Sequence, residues 1–463
     1  MKSTIFKAQN SSQILPFFIL GHPRSGTTAL ARILNSSSLV TCLFYESNVL
    51  MRLWQTLRRS DVLSEPHDDL IIDFNVSARY ALYERPTALS SHGIIFPQTA
   101  LAELSQSYKE ALGCLLEPAS IFDHVLTTFF KILAEISGSN IVGDKVPDYS
   151  LIPEVITSPL PSCKLIIISR DLRETTHSTL ALNRRTLHLF ASPDIFATAC
   201  SFALREKKLQ EFLKDFPDQR KILLNHQELL TAPRKSMMSV ISFIGVDQPD
   251  QKMLAYIKQI ENSPPKIKNW RLELPIKEQA AIEAVFSVFG ILSQAQRLTS
   301  PDEQLEEIAR IIHAITICCG RQLRSVIQNA HKIFSEMGRR TSLGHCLLKL
   351  ADFTHSQKAT QHQHTSILFE AALHNIPLCP IAWYKYGAYC FDIKQITECK
   401  KALLQAVENC SRHNYYRILR AKALFLLGRI EDLYGSRSKA KDYYRNSLKS
   451  FIGFRLAQAM LSK

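Results

Sequence analysis

Four short apolar runs, Phe17 to Leu20, Ile141 to Val142, Leu165 to Ser169 and Ile222 to Leu224, alternate with longer stretches that read mostly as helices. Strands buried on both faces lose the polar alternation of a half-exposed strand, so runs of this kind spaced by helices predict a parallel sheet covered on both sides. The fold class read from the pattern is therefore α/β, with a sheet of the P-loop type. After about Leu298 the strand signal ends. Pro301-Asp302-Glu303 then opens a helical stretch with an N-terminal proline and an acidic first turn, and the rest of the chain reads as helix.

The helical part carries a spacing of its own. Phe369, Ala372 and Pro377 precede Trp383, Tyr386 and Gly387, and Cys399, Leu403 and Ala406 close the next unit. A further unit with Leu427, Gly428, Ala440 and Tyr444 follows at a longer interval. These offsets match the tetratricopeptide (TPR) pattern, in which small residues let the two helices of a hairpin approach and large ones fill the gap. A chain of 463 residues exceeds the size of one growing core, so two domains are expected. They are placed at residues 1–298, α/β, and 299–463, an all-α TPR-like region that binds or positions a protein partner.

Composition narrows the class. With 46% hydrophobic and 21% charged residues the chain is globular, and a net charge of +14 favours anionic ligands such as phosphorylated donors or acidic acceptors. No dense Lys/Arg run is interleaved with aromatics, so no specific nucleic-acid partner is expected. The eleven cysteines are dispersed, with no paired C-x-x-C spacing, which suits reduced thiols and predicts no metal. The first fifteen residues lack a signal-type apolar core, and no run is long enough to span a bilayer, so a cytoplasmic protein without a membrane span is expected.

The candidate chemistry begins where the first strand ends. Gly21-His22-Pro23-Arg24-Ser25-Gly26-Thr27-Thr28 follows the apolar run directly, and the helix Thr28 to Leu34 follows the loop. Two glycines allow a tight turn, and amides at a helix N-terminus point at a phosphate or sulfate. The G-x-x-x-x-G spacing departs from a Walker A loop, because Gly26 is followed by Thr27 and the cation, Arg24, precedes the second glycine. A loop without that lysine is poorly equipped for ATP. A second strand ends in Arg170, with Ser178 eight residues on in the next helix, a pair able to hold one phosphate.

PRSGTT after an apolar strand resembles the 5′-phosphosulfate loop of the sulfotransferase family, whose donor is 3′-phosphoadenosine 5′-phosphosulfate (PAPS). The resemblance spans roughly residues 14 to 295. It implies that Arg24, Ser25, Gly26, Thr27 and Thr28 hold the phosphosulfate and that Arg170 and Ser178 hold the 3′-phosphate. Gly143-Asp144-Lys145-Val146-Pro147 resembles the Glu/Asp-Lys-x-Pro segment of the carbohydrate and tyrosyl-protein enzymes, and implies that Lys145 assists Arg24 at the transferring group. The histidine that the cytosolic enzymes for phenols and steroids carry two residues after this lysine is replaced by Pro147. Glu46 stands near the place of the catalytic glutamate in the carbohydrate and tyrosyl-protein enzymes, with Asp144 and His92 as alternative bases. Leu224 to Leu229 looks like the family's Tyr-Glu-x-Leu segment with His226 in place of Tyr, and Lys268-Asn269-Trp270-Arg271 resembles a Trp-Arg segment whose basic residues close over the donor. The Gly-rich closing loop of the cytosolic enzymes is absent.

The function implied is transfer of a sulfuryl group from PAPS, without metal, to a hydroxyl or amine of a carbohydrate, peptide or other metabolite. The acceptor would be read by loops and helices between Asn48 and Asn140. Two rival readings are a P-loop kinase for a small metabolite, which would need a lysine beside Thr27, and a catalytically silent scaffold acting through its TPR-like surface.

Overall fold

The structure, a computed structural model, describes residues 14–43, 49–57, 70–71, 74–75, 78, 98–114, 117–185, 194–262, 270–318, 322–357, 362–412, 414–452 and 454–461. Its centre is a five-stranded sheet in the order β2-β3-β1-β4-β5 in which every neighbouring pair is parallel. The strands are β1 (Leu15–Leu20), β2 (Val40–Leu43), β3 (Ile141–Asp144), β4 (Lys164–Ser169) and β5 (Lys221–Asn225). Four of them lie on the four apolar runs. The fifth, β2, reads only Val-Thr-Cys-Leu and pairs on one side alone, with β3, so it carries little of the continuous apolar signal of a central strand.

Alternation within the central strands separates two layers. Phe18 and Leu20 of β1 and Leu165 and Ile167 of β4 face one cluster; Phe17, Ile19, Ile166 and Ile168 face the other. Along the chain, α1 (Thr27–Leu34) covers the second face. The first face is covered by α2 (Val49–Leu57), α3 (Gln98–Gly113) and α4 (Pro118–Ser137). A short α5 (Pro153–Thr157) leads to β4, and α6 (Leu172–Arg185) and α7 (Ile195–Asp215) follow it. Beyond β5, α8 (His226–Thr231), α9 (Pro233–Ile244) and α10 (Gln251–Glu261) complete the second face. This doubly wound arrangement leaves the carboxyl ends of the strands as the place where loops converge.

A one-turn α11 (Trp270–Glu273) and α12 (Ile276–Val288) precede the helical half, which holds α13 (Glu303–Ile317), α14 (Gln322–Glu336), α15 (Arg340–Gln357) and α16 (His362–Asn375). It continues through α17 (Pro380–Asp392), α18 (Ile396–Ser411), α19 (Arg417–Tyr434), α20 (Arg437–Ser450) and α21 (Arg455–Leu461). Asp302 caps α13 by accepting from Leu305 N, so Pro301 stands just outside the helix. Consecutive helices pack as hairpins. A Cβ on Gly387 would meet Leu403, one on Gly428 would meet Tyr444, and Gly344, which the spacing had not singled out, bears the same relation to Ile376.

The two halves share apolar material. One cluster runs from Leu172 and Phe196 through Phe286 and Leu347 to Leu427. The connecting segment is fastened as well: buried Glu283 accepts hydrogen bonds from Leu298 N, Thr299 N, Thr299 Oγ1 and Arg173 Nη1. Ser342 Oγ of α15 donates to Asp194 Oδ2, at the N-cap of α7, at 2.6 Å. Among the described residues no helix is long and apolar enough to cross a membrane.

Candidate functional site

The loop after β1 is a turn closed by Ser25 N donating to His22 O at 3.1 Å. Arg24 takes φ 72°, in the left-handed region that an L side chain enters at a cost of about 1–2 kcal/mol. Bonds with the segment after neighbouring β4 hold it there: Arg170 Nη1 donates to the Arg24 carbonyl at 2.8 Å, and Arg24 Nε donates to Ser178 Oγ of α6 at 3.2 Å. Arg170 also pairs with Glu174 at 3.0 Å. The arginine and serine proposed for one phosphate are thus brought together through Arg24, its main chain held by one and its side chain by the other.

Gly26 is the N-cap of α1 at φ 100°, and no side chain caps that helix. A Cβ there would collide with the ring of His226, and one on Gly21 would lie 2.7 Å from Ser25 Oγ and 2.8 Å from Ile168 O. Both glycines are therefore demanded by close approach. The Ser25 hydroxyl is 1% exposed and has no hydrogen-bond partner. Buried polar atoms are nearly always paired, so an unpaired hydroxyl beside the positive end of a helix is chemically suited to an anion.

Lys145 follows β3 and is 2% exposed; its Nζ donates to Thr28 Oγ1 at 3.1 Å, in the first turn of α1. Asp144 positions it. One carboxylate oxygen accepts from Lys145 N at 2.8 Å and the other from Tyr149 OH at 2.6 Å. Burial, then the Asp144 charge, pushes the Tyr149 phenol well above its usual range, which keeps it a donor. With both oxygens engaged, Asp144 is suited to orienting the lysine rather than to taking a proton from a substrate.

His226 opens α8 with its ring against Gly26, and burial together with the Arg170 charge pushes its pKa down to about 4. Arg271 is exposed on α11. That single turn is held on α6, the helix bearing Ser178, by His177 Nε2 to Glu273 at 3.3 Å and by Arg173 5.3 Å from the centre of the Trp270 ring. Glu46, His92 and Lys268 lie outside the described residues.

Sequence reasoning missed one group in the loop. His22 is 3% exposed, and its Nε2 lies 2.7 Å from Glu206 Oε2 of α7. Burial would raise the Glu206 carboxyl, but hydrogen bonds from His22 and from Gln210 Nε2 more than offset it and hold it below its usual value. The other ring nitrogen, Nδ1, is buried without a partner. The only signal in the sequence was a histidine between the two glycines, since its partner stands 184 residues away.

Solved structures that resemble this chain include a sulfotransferase from Mycobacterium avium, with 15% identity over 60% of this chain and 76% of that one at a TM-score of 0.36. The sulfotransferase domain of the Synechococcus PCC 7002 olefin synthase shows 17% identity over 71% of this chain and 98% of that one at a TM-score of 0.31. The sulfotransferase domain from the curacin biosynthetic pathway shows 16% identity over 71% and 99% at 0.32. No curated protein matches the chain. Residues 16–250 match the model of the sulfotransferase family, a span that begins in β1, includes the anion loop, Lys145, Arg170, Ser178 and His226, and ends just before α10. It covers more than half of the sequence, and on that match the chain belongs to the sulfotransferase family.

Proposed function

We propose that this protein transfers a sulfuryl group from PAPS to a hydroxyl, or an amine, of a carbohydrate, peptide or other metabolite. The observation that carries the reading is the unpaired, buried Ser25 hydroxyl at the uncapped N-terminus of α1, with the Lys145 ammonium bonded to Thr28 in that helix's first turn. A 5′-phosphosulfate fits this donor set: it would accept from Ser25 Oγ and from the amides of Gly26, Thr27 and Thr28. Arg24 and Lys145 supply charge at the bridging oxygen. As the acceptor oxygen bonds to sulfur, the bond from sulfur to the phosphate oxygen breaks, and the electron pair leaves on 3′-phosphoadenosine 5′-phosphate (PAP). Lys145, buried and already fixed on Thr28, stabilises that charge without reorganising, and exposed Arg24 adds its charge from the rim.

Arg170 and Ser178 are assigned to the 3′-phosphate, with Arg24 yielding its bond to Ser178 when the nucleotide enters. His226 borders the loop, and Arg271, with Lys268, is assigned to cover the donor. The helical half, as a TPR-type array, is assigned to holding a partner or the acceptor.

Calorimetric titration with PAP, using 5′-AMP and ATP as comparators, tests the donor class. The expected outcome is tight binding of PAP, much weaker binding of AMP and ATP, and loss of PAP affinity in Ser178→Ala. Preference for ATP, or no binding, would overturn the reading.

A further inference from the structure

The two ends of the turn that Ser25 N and His22 O close each carry a buried polar atom without a partner, Ser25 Oγ and His22 Nδ1. The first is accounted for by the donor. The second is the lone imidazole nitrogen of a ring whose other nitrogen is clamped. Glu206 accepts from His22 Nε2 at 2.7 Å, and its second oxygen accepts from Gln210 Nε2 at 2.7 Å. In the tautomer that donates from Nε2 to Glu206, Nδ1 is a bare acceptor. Phe202 packs edge-on against the ring, with centroids 5.5 Å apart, and fixes its plane.

The helix that supplies Glu206 is not free to drift. Neighbouring Arg205 pairs with Asp148 at 2.9 Å, three residues beyond Lys145, and Lys208 pairs with Glu154 at 2.7 Å. These pairs tie α7, which carries Glu206, to the segment that follows Lys145. Resting on the sulfuryl-transfer reading above, we infer that His22 Nδ1 is the proton acceptor for the acceptor hydroxyl, with Glu206 as the residue that positions it.

The step balances. The hydroxyl proton passes to Nδ1 as the acceptor oxygen bonds to sulfur and the phosphate leaves. The imidazolium, bonded to ionised Glu206, then releases its proton to water. The device answers the absence of a histidine at Pro147: the base comes from the loop rather than from the segment after Lys145.

PAPS alone, with water as the acceptor, tests this without knowledge of the natural acceptor. PAP release is followed in the wild-type chain, His22→Ala and Glu206→Gln, alongside PAP affinity by calorimetry and thermal melting. The expected result is a fall of about 100-fold or more in PAP release for His22→Ala, partial recovery with added imidazole, a smaller fall for Glu206→Gln, and unchanged PAP affinity in both. His22→Ala at the wild-type rate would overturn the inference. So would loss of PAP affinity together with rate, which would make His22 structural, or a wild-type chain that binds PAP and leaves PAPS intact. Failure of the wild-type chain to bind PAP would instead remove the donor reading itself.

Discussion

The α/β half and the helical half treat buried polar groups in opposite ways. Among the described residues, every buried side-chain polar atom that lacks a hydrogen-bond partner precedes Leu298, and His22 Nδ1 and Ser25 Oγ stand on a single turn. In the helical half the buried polar groups are closed. Asn375 meets His331 Nδ1 and donates to Ala371 O, Asn409 donates to Pro377 O, and Ser447 donates to Ala421 O. Two kinds of glycine serve these places. Gly26 keeps the backbone of a loop open at a positive φ, whereas Gly387 and Gly428 let Leu403 and Tyr444 fill the space between two helices. The α/β half leaves polar atoms open at the turn after β1, and the helical half pairs the polar groups of Asn375, Asn409 and Ser447.

The largest expected effect lies where the open half holds a buried charge. Lys145→Met should lower sulfuryl transfer by about 10²–10³-fold, as removal of a preorganised charge donor does. Circular dichroism should be unchanged, because a similar volume fills the site. Lys385→Met, which removes a lysine paired with Asp352 in the helical half, should leave transfer intact. Equal losses in the two variants would erase the distinction between the halves.

The helical half should break through packing instead. Valine at Gly428 puts a side chain where the Tyr444 ring lies and should destabilise the chain by about 1–3 kcal/mol in denaturant titration. PAP affinity below the transition should be unaffected. A PAP affinity that fell in proportion would show that the shared apolar cluster carries the hairpins' packing through to the donor site.

Two serine truncations should move stability in opposite directions. Ser447→Ala removes a satisfied hydrogen bond and should cost about 1 kcal/mol. Ser25→Ala removes a buried hydroxyl without a partner, so melting should rise slightly while PAP affinity falls. If Ser25→Ala destabilised the free protein, its hydroxyl would be structural and the case for an anion there would weaken.

How much of this was legible in the sequence follows from the range of each interaction. β1 and β4 were plain because strands buried on both faces are apolar throughout; β2 was not, being four residues at an edge with Thr41 and Cys42 in the middle. The loop was legible because Gly26, Arg24 and Thr28 act within a few residues of each other. The meeting of Arg24 with Arg170 and Ser178 required β1 and β4 to pair side by side. His22 with Glu206 depends on where α7 lies, which no local pattern records. Gly344 escaped notice because its filler, Ile376, lies beyond the end of α16, twice as far along the chain as Leu403 lies from Gly387 or Tyr444 from Gly428.

The smallest effect concerns protons at the rim of the loop. His226 is held neutral down to about 4, by burial and then by Arg170, while in the unfolded chain it takes up a proton near its ordinary value of 6.5. Because the folded form binds fewer protons in that window, its contribution to stability is lost as pH falls from about 6.5 toward 4. A phosphate bound against Arg170 neutralises part of the charge that depresses the histidine, so the bound form should take up a proton that the free form refuses. PAP affinity should then strengthen a few-fold as pH falls from neutrality toward 5, beyond whatever PAP's own ionisation contributes, with proton uptake visible as a dependence of binding enthalpy on the buffer. His226→Gln should abolish that uptake. A pH dependence identical in wild type and variant would place His226 away from the phosphate and narrow the open half of the comparison to the turn from His22 to Gly26.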